Sequence, residues 1–236
     1  FLLELERVAM HLATLSGLAA DIGFLQGAST YGRLRTTAIN TLMRLTGSRF
    51  GRGALRPGGA RITLDDSSRE EVAANLALLQ RDLATINECF LDAQTVRHRL
   101  QGVGVLSRER AEELGAVGLV ARASGLRVDA RQQVTEGAYK VLALDAVVHD
   151  GGDCWARTRL RVDELAASLR WLEVVLGLYG RWRPSPTAPL SLNARQLVVA
   201  MVEGWRGEVV HCLETGETGE LVHYKVQDPS MRNWMG

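Results

Sequence analysis

Apolar residues recur at steps of three and four along much of the chain, and each such stretch marks a helix with one buried face. Leu5, Val8, Leu12, Leu15, Ala19 and Ile22 predict a first helix over residues 2–22, stopped by Gly23 in a left-handed cap. A loop with Gly and Ser is expected over 23–30, then a second helix over 31–45. Residues 47–59 are dense in glycine and contain Pro57, which excludes regular helix. Ser67 with Glu70, or Ser68 with Glu71 one register on, forms a capping box. It opens a helix whose seam is Val72, Leu76, Leu79, Leu83, Ile86, Phe90 and Ala93. Running to about Leu100, that helix would be about 45 Å long. Each fully buried Leu, Ile or Phe on such a seam contributes about 1.5–3 kcal/mol, which makes it core.

Ser107 can cap a short helix through Leu114, and 115–131 is again glycine-rich and charged. Lys140–Val148 is ambiguous between strand and buried helix. From Cys154 another helix follows, with Val162, Leu165, Leu169, Leu172, Leu176 and Tyr179 as its seam; Arg157, Arg161, Glu164 and Ser168 lie on its polar side. Gly180–Pro189 reads as a turn or linker. The tail changes period: 197–202 and 208–213 are β-prone, and Gly216–Gly219 joins the latter to 221–226 as a hairpin. The predicted fold is mainly α (α+β), a long-helix bundle with a small antiparallel β element near the C-terminus.

A second line runs along the first helix: Glu4, Arg7, His11, Thr14, Leu18 and Asp21. It is mostly polar at helical spacing, so it is either a face turned to water or a polar seam turned to a site. The basic residues are distributed unevenly. No acid occurs between Asp21 and Asp65, while Arg33, Arg35, Arg44, Arg49, Arg52, Arg56 and Arg61 accumulate there. That segment is a solvated basic loop or a docking surface for an acidic partner. Aromatic stacking residues are sparse in it, which argues against nucleic acid.

Composition narrows the class. The 236 residues suit one large domain or two small ones, and 46% hydrophobic with 23% charged residues is ordinary for a globular protein. A net charge of +1 argues against a general polyanion binder. Basic residues are almost all Arg, with Lys140 and Lys225 the exceptions. Cys89, Cys154 and Cys212 are far apart, with no Cys-x-x-Cys, so they indicate neither a disulfide framework nor a local metal clip. His211 and His223 could meet across the hairpin, but two His make a poor metal site without a third ligand. No stretch approaches the eighteen or so apolar residues of a membrane span, and no Gly-x-Gly-x-x-Gly turn opening a βαβ unit is visible. The chain begins at Phe1 within or just before a helix, and is read as a piece of a longer protein.

Ordered motifs then become specific. Glu4-Leu-Glu-Arg7, His11 and Asp21-Ile-Gly23 are followed by Gly47-Ser-Arg-Phe-Gly51 and Arg56-Pro-Gly-Gly59. Next come Gly102-Val-Gly-Val-Leu-Ser107, Gly118, Arg122-Ala-Ser-Gly125, Asp129-Ala-Arg131 and Gly152-Asp-Cys-Trp-Ala-Arg157. Glu203-Gly-Trp-Arg-Gly-Glu208 and Asp228-Pro-Ser-Met-Arg-Asn-Trp234 close the series. In this order the chain resembles the large catalytic subunit of membrane-bound nickel–iron hydrogenases of the formate-hydrogenlyase and hydrogenase-4 kind. It also resembles their relative, the 49-kilodalton subunit of NADH:quinone oxidoreductase (complex I).

The resemblance implies an oxidoreductase subunit, a single domain over 1–236 forming the central part of such a subunit, with the N- and C-terminal metal-ligand segments absent. Arg206 matches an Arg that stands over the nickel–iron centre in hydrogenases, where complex I carries a Lys, and Asp21 an Asp that pairs with a quinone-site His on an earlier segment in complex I; these two are the implied catalytic residues. From its neighbours alone, Arg206 reads instead as an ion-pair partner of Glu203 or Glu208. His11, Arg49 and Arg56 are implied for the quinone or partner pocket, the two arginines facing a neighbouring iron–sulfur subunit, where positive charge eases reduction of an anionic cluster. Gly51 stands where complex I has a His, which favours the hydrogenase branch; Trp205 and Leu119 replace prolines usual in the family. No metal or cofactor is expected on this chain itself. The parent family implies a nickel–iron centre or a quinone, with iron–sulfur clusters in a partner subunit. Expected partners are the iron–sulfur small subunit and membrane subunits, with quinone and without nucleic acid. The expected location is cytoplasmic, peripheral on the inner face of the cytoplasmic membrane. The alternative is a hydrogenase-related structural subunit that has lost catalytic metal binding.

Overall fold

A computed structural model describes residues 1–133, 137–178, 181–186 and 191–235. In chain order the described elements are α1 (Leu2–Asp21), α2 (Leu25–Thr46), β1 (Leu55–Arg56), β2 (Gly59–Ala60), α3 (Asp66–Asp92), α4 (Gln94–Leu100), α5 (Arg108–Glu113), α6 (Gly118–Ala123), α7 (Ala130–Gln133), α8 (Ala138–Val141), α9 (Cys154–Leu178), β3 (Leu197–Gly204), β4 (Gly207–Thr215), β5 (Leu221–Gln227) and α10 (Ser230–Asn233). They form two compact units. One comprises Phe1–Val105 with Asp153–Thr187, the other Leu106–Gly152 with Ala188–Gly236.

The first unit is the long-helix bundle of α1, α2, α3 and α9. The predicted seams are its core: Leu5, Val8, Leu12, Leu15 and Ala19 on α1, Val72 to Phe90 on α3, and Val162, Leu165, Leu169, Leu172 and Leu176 on α9 are all buried. Tyr179 and Gly180 lie outside the described residues. Four expectations are corrected. The loop expected over 23–30 is only Ile22–Phe24, and α2 begins at Leu25. A Cβ on Gly27 would stand 2.5 Å from the Phe24 ring and 3.3 Å from Ala19 Cβ, so this glycine permits close helix packing rather than a loop. The ring of Phe24 meets Phe90 edge-on, which fixes the turn.

The capping box belongs to Asp65 and Ser68, because Asp65 Oδ1 accepts from the Ser68 amide at 2.8 Å and Ser68 Oγ accepts from the Asp65 amide at 2.9 Å. Nor does the helix run unbroken to Leu100. Ala93 is extended at ψ 115 between α3 and α4, and the Leu91 carbonyl accepts from Arg97 Nε at 2.7 Å. The fourth correction concerns α9, whose Glu164 and Ser168 are buried although the sequence puts them on a polar side.

The second unit packs Leu106, Ala111, Ala116, Ala121 and Leu126 into a small core. Ser107 caps α5 as expected, its Oγ accepting from the Arg110 amide at 3.2 Å. The 115–131 stretch holds the short helices α6 and α7, and Lys140–Val148 is neither strand nor buried helix beyond the turn of α8. The tail is a three-stranded antiparallel sheet in the order β3-β4-β5, with Gly204 paired to Gly207 and Leu213 to Tyr224. Leu197, Val198 and Val199 on β3 and Leu221, Val222, Tyr224 and Val226 on β5 are exposed.

Gly118 and Gly207 interlock. A Cβ on Gly118 (φ +58) would lie 2.1 Å from Gly207 Cα and 2.4 Å from the Arg206 carbonyl oxygen. Gly118→Ala is therefore expected to cost about 1–3 kcal/mol from backbone overlap and left-handed strain. Chemical denaturation would measure it; an unchanged midpoint would show that the two backbones are not in contact.

Candidate functional site

In the bundle, the polar line of α1 turns inward at its start. Glu4, Arg7 and His11 are buried with Glu164 and Ser168 of α9. Arg7 Nε donates to both Glu4 oxygens at 3.2 Å, and Ser168 Oγ donates to Glu4 Oε2 at 2.6 Å. One turn further, His11 Nε2 meets Glu164 Oε2 at 2.8 Å. A hydrogen on Nε2 satisfies that carboxylate and leaves His11 Nδ1, which has no partner among the described residues, a lone pair rather than an orphan N–H. Burial holds the imidazole below its ordinary value; the bond and charge of Glu164 oppose that, while Arg161 and Arg7 reinforce it.

The far end of the line is different. Asp21 is exposed, with no ion pair among the described residues. The line is thus a buried seam over its first three members and open to water at its last. A shallow cleft of about 430 Å³ beside it is lined by Ile22, Gly23, Phe24, Thr95, His98 and Arg99.

The basic segment is partly neutralised. Arg33 pairs with Asp82 at 2.7 Å and Arg44 with Glu71 at 3.1 Å. Arg56 Nη2 donates to the Ser185 carbonyl at 2.7 Å, which pins the β1–β2 hairpin. Arg49, Arg52 and Arg61 are exposed and have no ion pair among the described residues. Arg52 lies over the Phe50 ring at 6.0 Å, and Phe50 and Leu55 are themselves exposed. The loop therefore offers unneutralised cations beside apolar side chains.

In the second unit, motifs from three parts of the chain meet around Glu203. Its Oε1 accepts from Arg122 Nη1 at 2.9 Å and its Oε2 from the Ala130 amide at 3.0 Å. Arg131 grips Asp129 at 2.6 and 2.9 Å, and all four charged groups are buried. Burial raises the Glu203 carboxyl, Arg122 opposes the rise, and Asp129 adds to it. This cluster holds the end of β3, immediately before the Trp205–Arg206 turn.

Arg206 does not pair with Glu203 or Glu208. Glu203 is taken by Arg122, and Glu208 by Arg232 at 2.6 Å. The exposed Arg206 guanidinium lies 4.2 Å over the Trp205 ring, and its Nη1 donates to Ser230 Oγ at 3.2 Å. Its other N–H groups have no hydrogen-bond acceptor among the described residues. His211 and His223 do not meet either: the register sets His211 opposite Val226, and its Nδ1 is hydrogen-bonded to Tyr224 Oη at 2.6 Å.

Among the described residues no three His, Cys, Asp or Glu side chains converge to hold a metal ion. Cys89 is exposed, Cys154 and Cys212 are half-buried, and no two are joined. This donor set does not fit a nickel–iron centre, which takes thiolates in pairs.

Residues 21–182 match the family of the respiratory-chain NADH dehydrogenase 49 Kd subunit. The chain belongs to that family. It is 32% identical to an NADH-quinone oxidoreductase subunit of Phocaeicola vulgatus, covering 95% of this chain and 43% of that protein. It is 29% identical to an F(420)H(2) dehydrogenase subunit of Methanosarcina mazei, with 97% and 60% covered. It is also 28% identical to the alpha subunit of the membrane-bound hydrogenase of Pyrococcus furiosus, with 98% and 57% covered. The chain spans about half the length of these curated relatives. Its fold matches a chain of the membrane-bound sulfane sulfur reductase, an archaeal respiratory membrane complex, at TM-score 0.89 and 24% identity, over 98% of this chain and 64% of that one.

Sequence reasoning missed Glu164 and Ser168 as the partners of α1, and Ser230 as the acceptor for Arg206. A signal existed for the first pair: a carboxylate one turn before a serine on α9 has the spacing needed to face a Glu4–Arg7–His11 line.

The buried His11 makes stability depend on pH. The unfolded imidazole titrates near its ordinary 6.5, and the folded one lower. Its neutral form therefore supports the fold fully above about pH 6.5, and that support is lost as pH falls towards the folded value. His11→Gln is expected to flatten the pH dependence of the unfolding free energy below about 6.5, by up to about 1.4 kcal/mol per pH unit, as read by chemical denaturation across that range. Parallel profiles for the two proteins would show that His11 carries no proton-linked stability.

Proposed function

We propose that the chain is the central part of an oxidoreductase subunit in a membrane-associated complex of the hydrogenase or NADH:quinone oxidoreductase kind. The observation that carries this reading is the state of Arg206. Two carboxylates lie next to it in sequence, yet both are occupied by other arginines, and the guanidinium stands exposed on Trp205. A guanidinium that stays charged at any physiological pH and has N–H groups to spare can donate to a substrate oxygen, such as a quinone carbonyl, and stabilise the anion that forms on it as electrons arrive.

The electrons would come from an iron–sulfur subunit seated on the 47–61 loop, where Arg49, Arg52, Arg56 and Arg61 supply positive charge and Phe50 and Leu55 supply apolar contact. Asp21, open at the end of α1, is a carboxylate available to a His on another segment, and His11 belongs to the frame that fixes α1. Among the described residues no helix is long and apolar enough to cross a membrane, and membrane association would come through partner subunits. No step is assigned to a nickel–iron centre.

Arg206→Ala in the complete subunit, assembled with its partners, is expected to lower turnover about 10²-fold or more, as for loss of an electrostatic donor. Arg206→Lys is expected to recover only part of it, since an ammonium lacks the planar fork. Quinone reduction and hydrogen turnover should both be measured. Wild-type rates in both assays for both variants would remove Arg206 from the chemistry and leave the chain as a scaffold subunit.

A further inference from the structure

We propose that α10 is a positioning device for Arg206, with Ser230 aiming the guanidinium, Asn233 fixing the turn that carries it, and Arg232 keeping the competing carboxylate of Glu208 away from it. The inference rests on the reading of Arg206 as the site's cation.

An arginine in a two-residue turn has little to hold it. Trp205–Arg206 joins β3 to β4 through the Gly204–Gly207 pair, and the Arg206 side chain is exposed. Left alone it would spread over many rotamers, or fold back onto a neighbouring carboxylate. Glu208, two residues on, is one such carboxylate; Asp228 is another, and hydrogen bonds from Ser230, aided by the Arg206 charge, hold its carboxyl below the usual range.

One short helix removes both outcomes. Ser230 Oγ accepts from Arg206 Nη1 at 3.2 Å, on a hydroxyl whose own backbone is fixed by the Ser230 amide donating to Asp228 Oδ1 at 2.7 Å. Two residues later, Arg232 Nη1 donates to Glu208 Oε1 at 2.6 Å. Asn233 works on the backbone: its Nδ2 donates to the Arg206 carbonyl at 3.2 Å, while its Oδ1 accepts from the Val117 amide at 3.0 Å. The turn is thereby tied to the start of α6, where Gly118 packs against Gly207. The Trp205 ring at 4.2 Å closes the other side. Hydroxyl, carboxamide and ring together set the direction of the guanidinium, and Arg232 keeps Glu208 from pairing with it.

The test uses Trp205 as the reporter, its emission isolated by subtracting the Trp205→Phe form of each variant. Ser230→Ala and Arg232→Ala should each shift the Trp205 component and raise its quenching by acrylamide, with the thermal midpoint little changed. Ser230→Thr, which keeps the hydroxyl, should restore the signal. Glu208→Gln should rescue Arg232→Ala, because the competing charge is gone; a merely structural role for Arg232 predicts no such rescue. In the complete complex, turnover should follow the Trp205 signal across the series. An unchanged Trp205 component in both Ser230→Ala and Arg232→Ala would overturn the proposal, as would failure of Glu208→Gln to rescue. If Arg206→Ala leaves turnover intact while these variants still move the Trp205 signal, the functional reading of Arg206 fails and the positioning device stands.

Discussion

Taking a carboxylate out of water costs several kcal/mol unless its charge and lone pairs are met at once, and both units are arranged around carboxylates that are met. In the bundle, Glu4 receives Arg7 and Ser168, and Glu164 receives His11. In the second unit Glu203 receives Arg122 and a backbone amide, beside the Asp129–Arg131 pair. The apolar seams supply most of the burial, but they would tolerate small slips. The polar contacts tolerate none, because an unpartnered charge in these interiors would cost about 3–5 kcal/mol. They decide which helices face each other.

The same economy of charge explains what is left over. Arginines are abundant, and most that lie near an acid are paired with it. Among the described residues the exposed arginines without an ion pair include Arg49, Arg52 and Arg61 on the basic loop and Arg206 on the β3–β4 turn. A cation without an ion pair beside acids that could have taken it is more informative than one in an acid-free stretch. For Arg206 the two acids next to it in sequence are present and held by other arginines, whereas the 22–64 segment has none of its own.

Much of this fold was legible because helix and strand periods differ and the seams are long. The α1, α3 and α9 seams and the β4–β5 hairpin follow from spacing alone. Short elements were not legible. Four-residue helices such as α7 and α8 carry too few positions for a period, and the break at Ala93 has no proline or glycine to announce it. Partnership was less legible still. The polar line of α1 had two readings because the sequence cannot say that Glu164, 153 positions away, would meet His11. Nor could spacing tell that Arg232 would take Glu208 and free Arg206 for another use. The resemblance to a family named the right motifs, but the pairing among them became visible only in three dimensions.

The buried seam has one mechanical consequence. Two helices joined only by leucines can slide along each other, because one ridge of methyl groups fits a neighbouring groove nearly as well as the last. Between α1 and α9, contacts at Glu4–Ser168 and His11–Glu164 lie a turn or more apart and run in opposite directions along the two helices. A shift of one turn would leave a carboxylate facing hydrocarbon at one position or the other. That helix pair is therefore held against shear by buried polar contacts, whereas between α3 and α9 an exposed Gln80–Glu173 hydrogen bond lies beside a groove lined in part by Leu83 and Leu169. Sliding α1 along α9 therefore means breaking buried polar contacts, whereas sliding α3 along α9 means exchanging an exposed one with water.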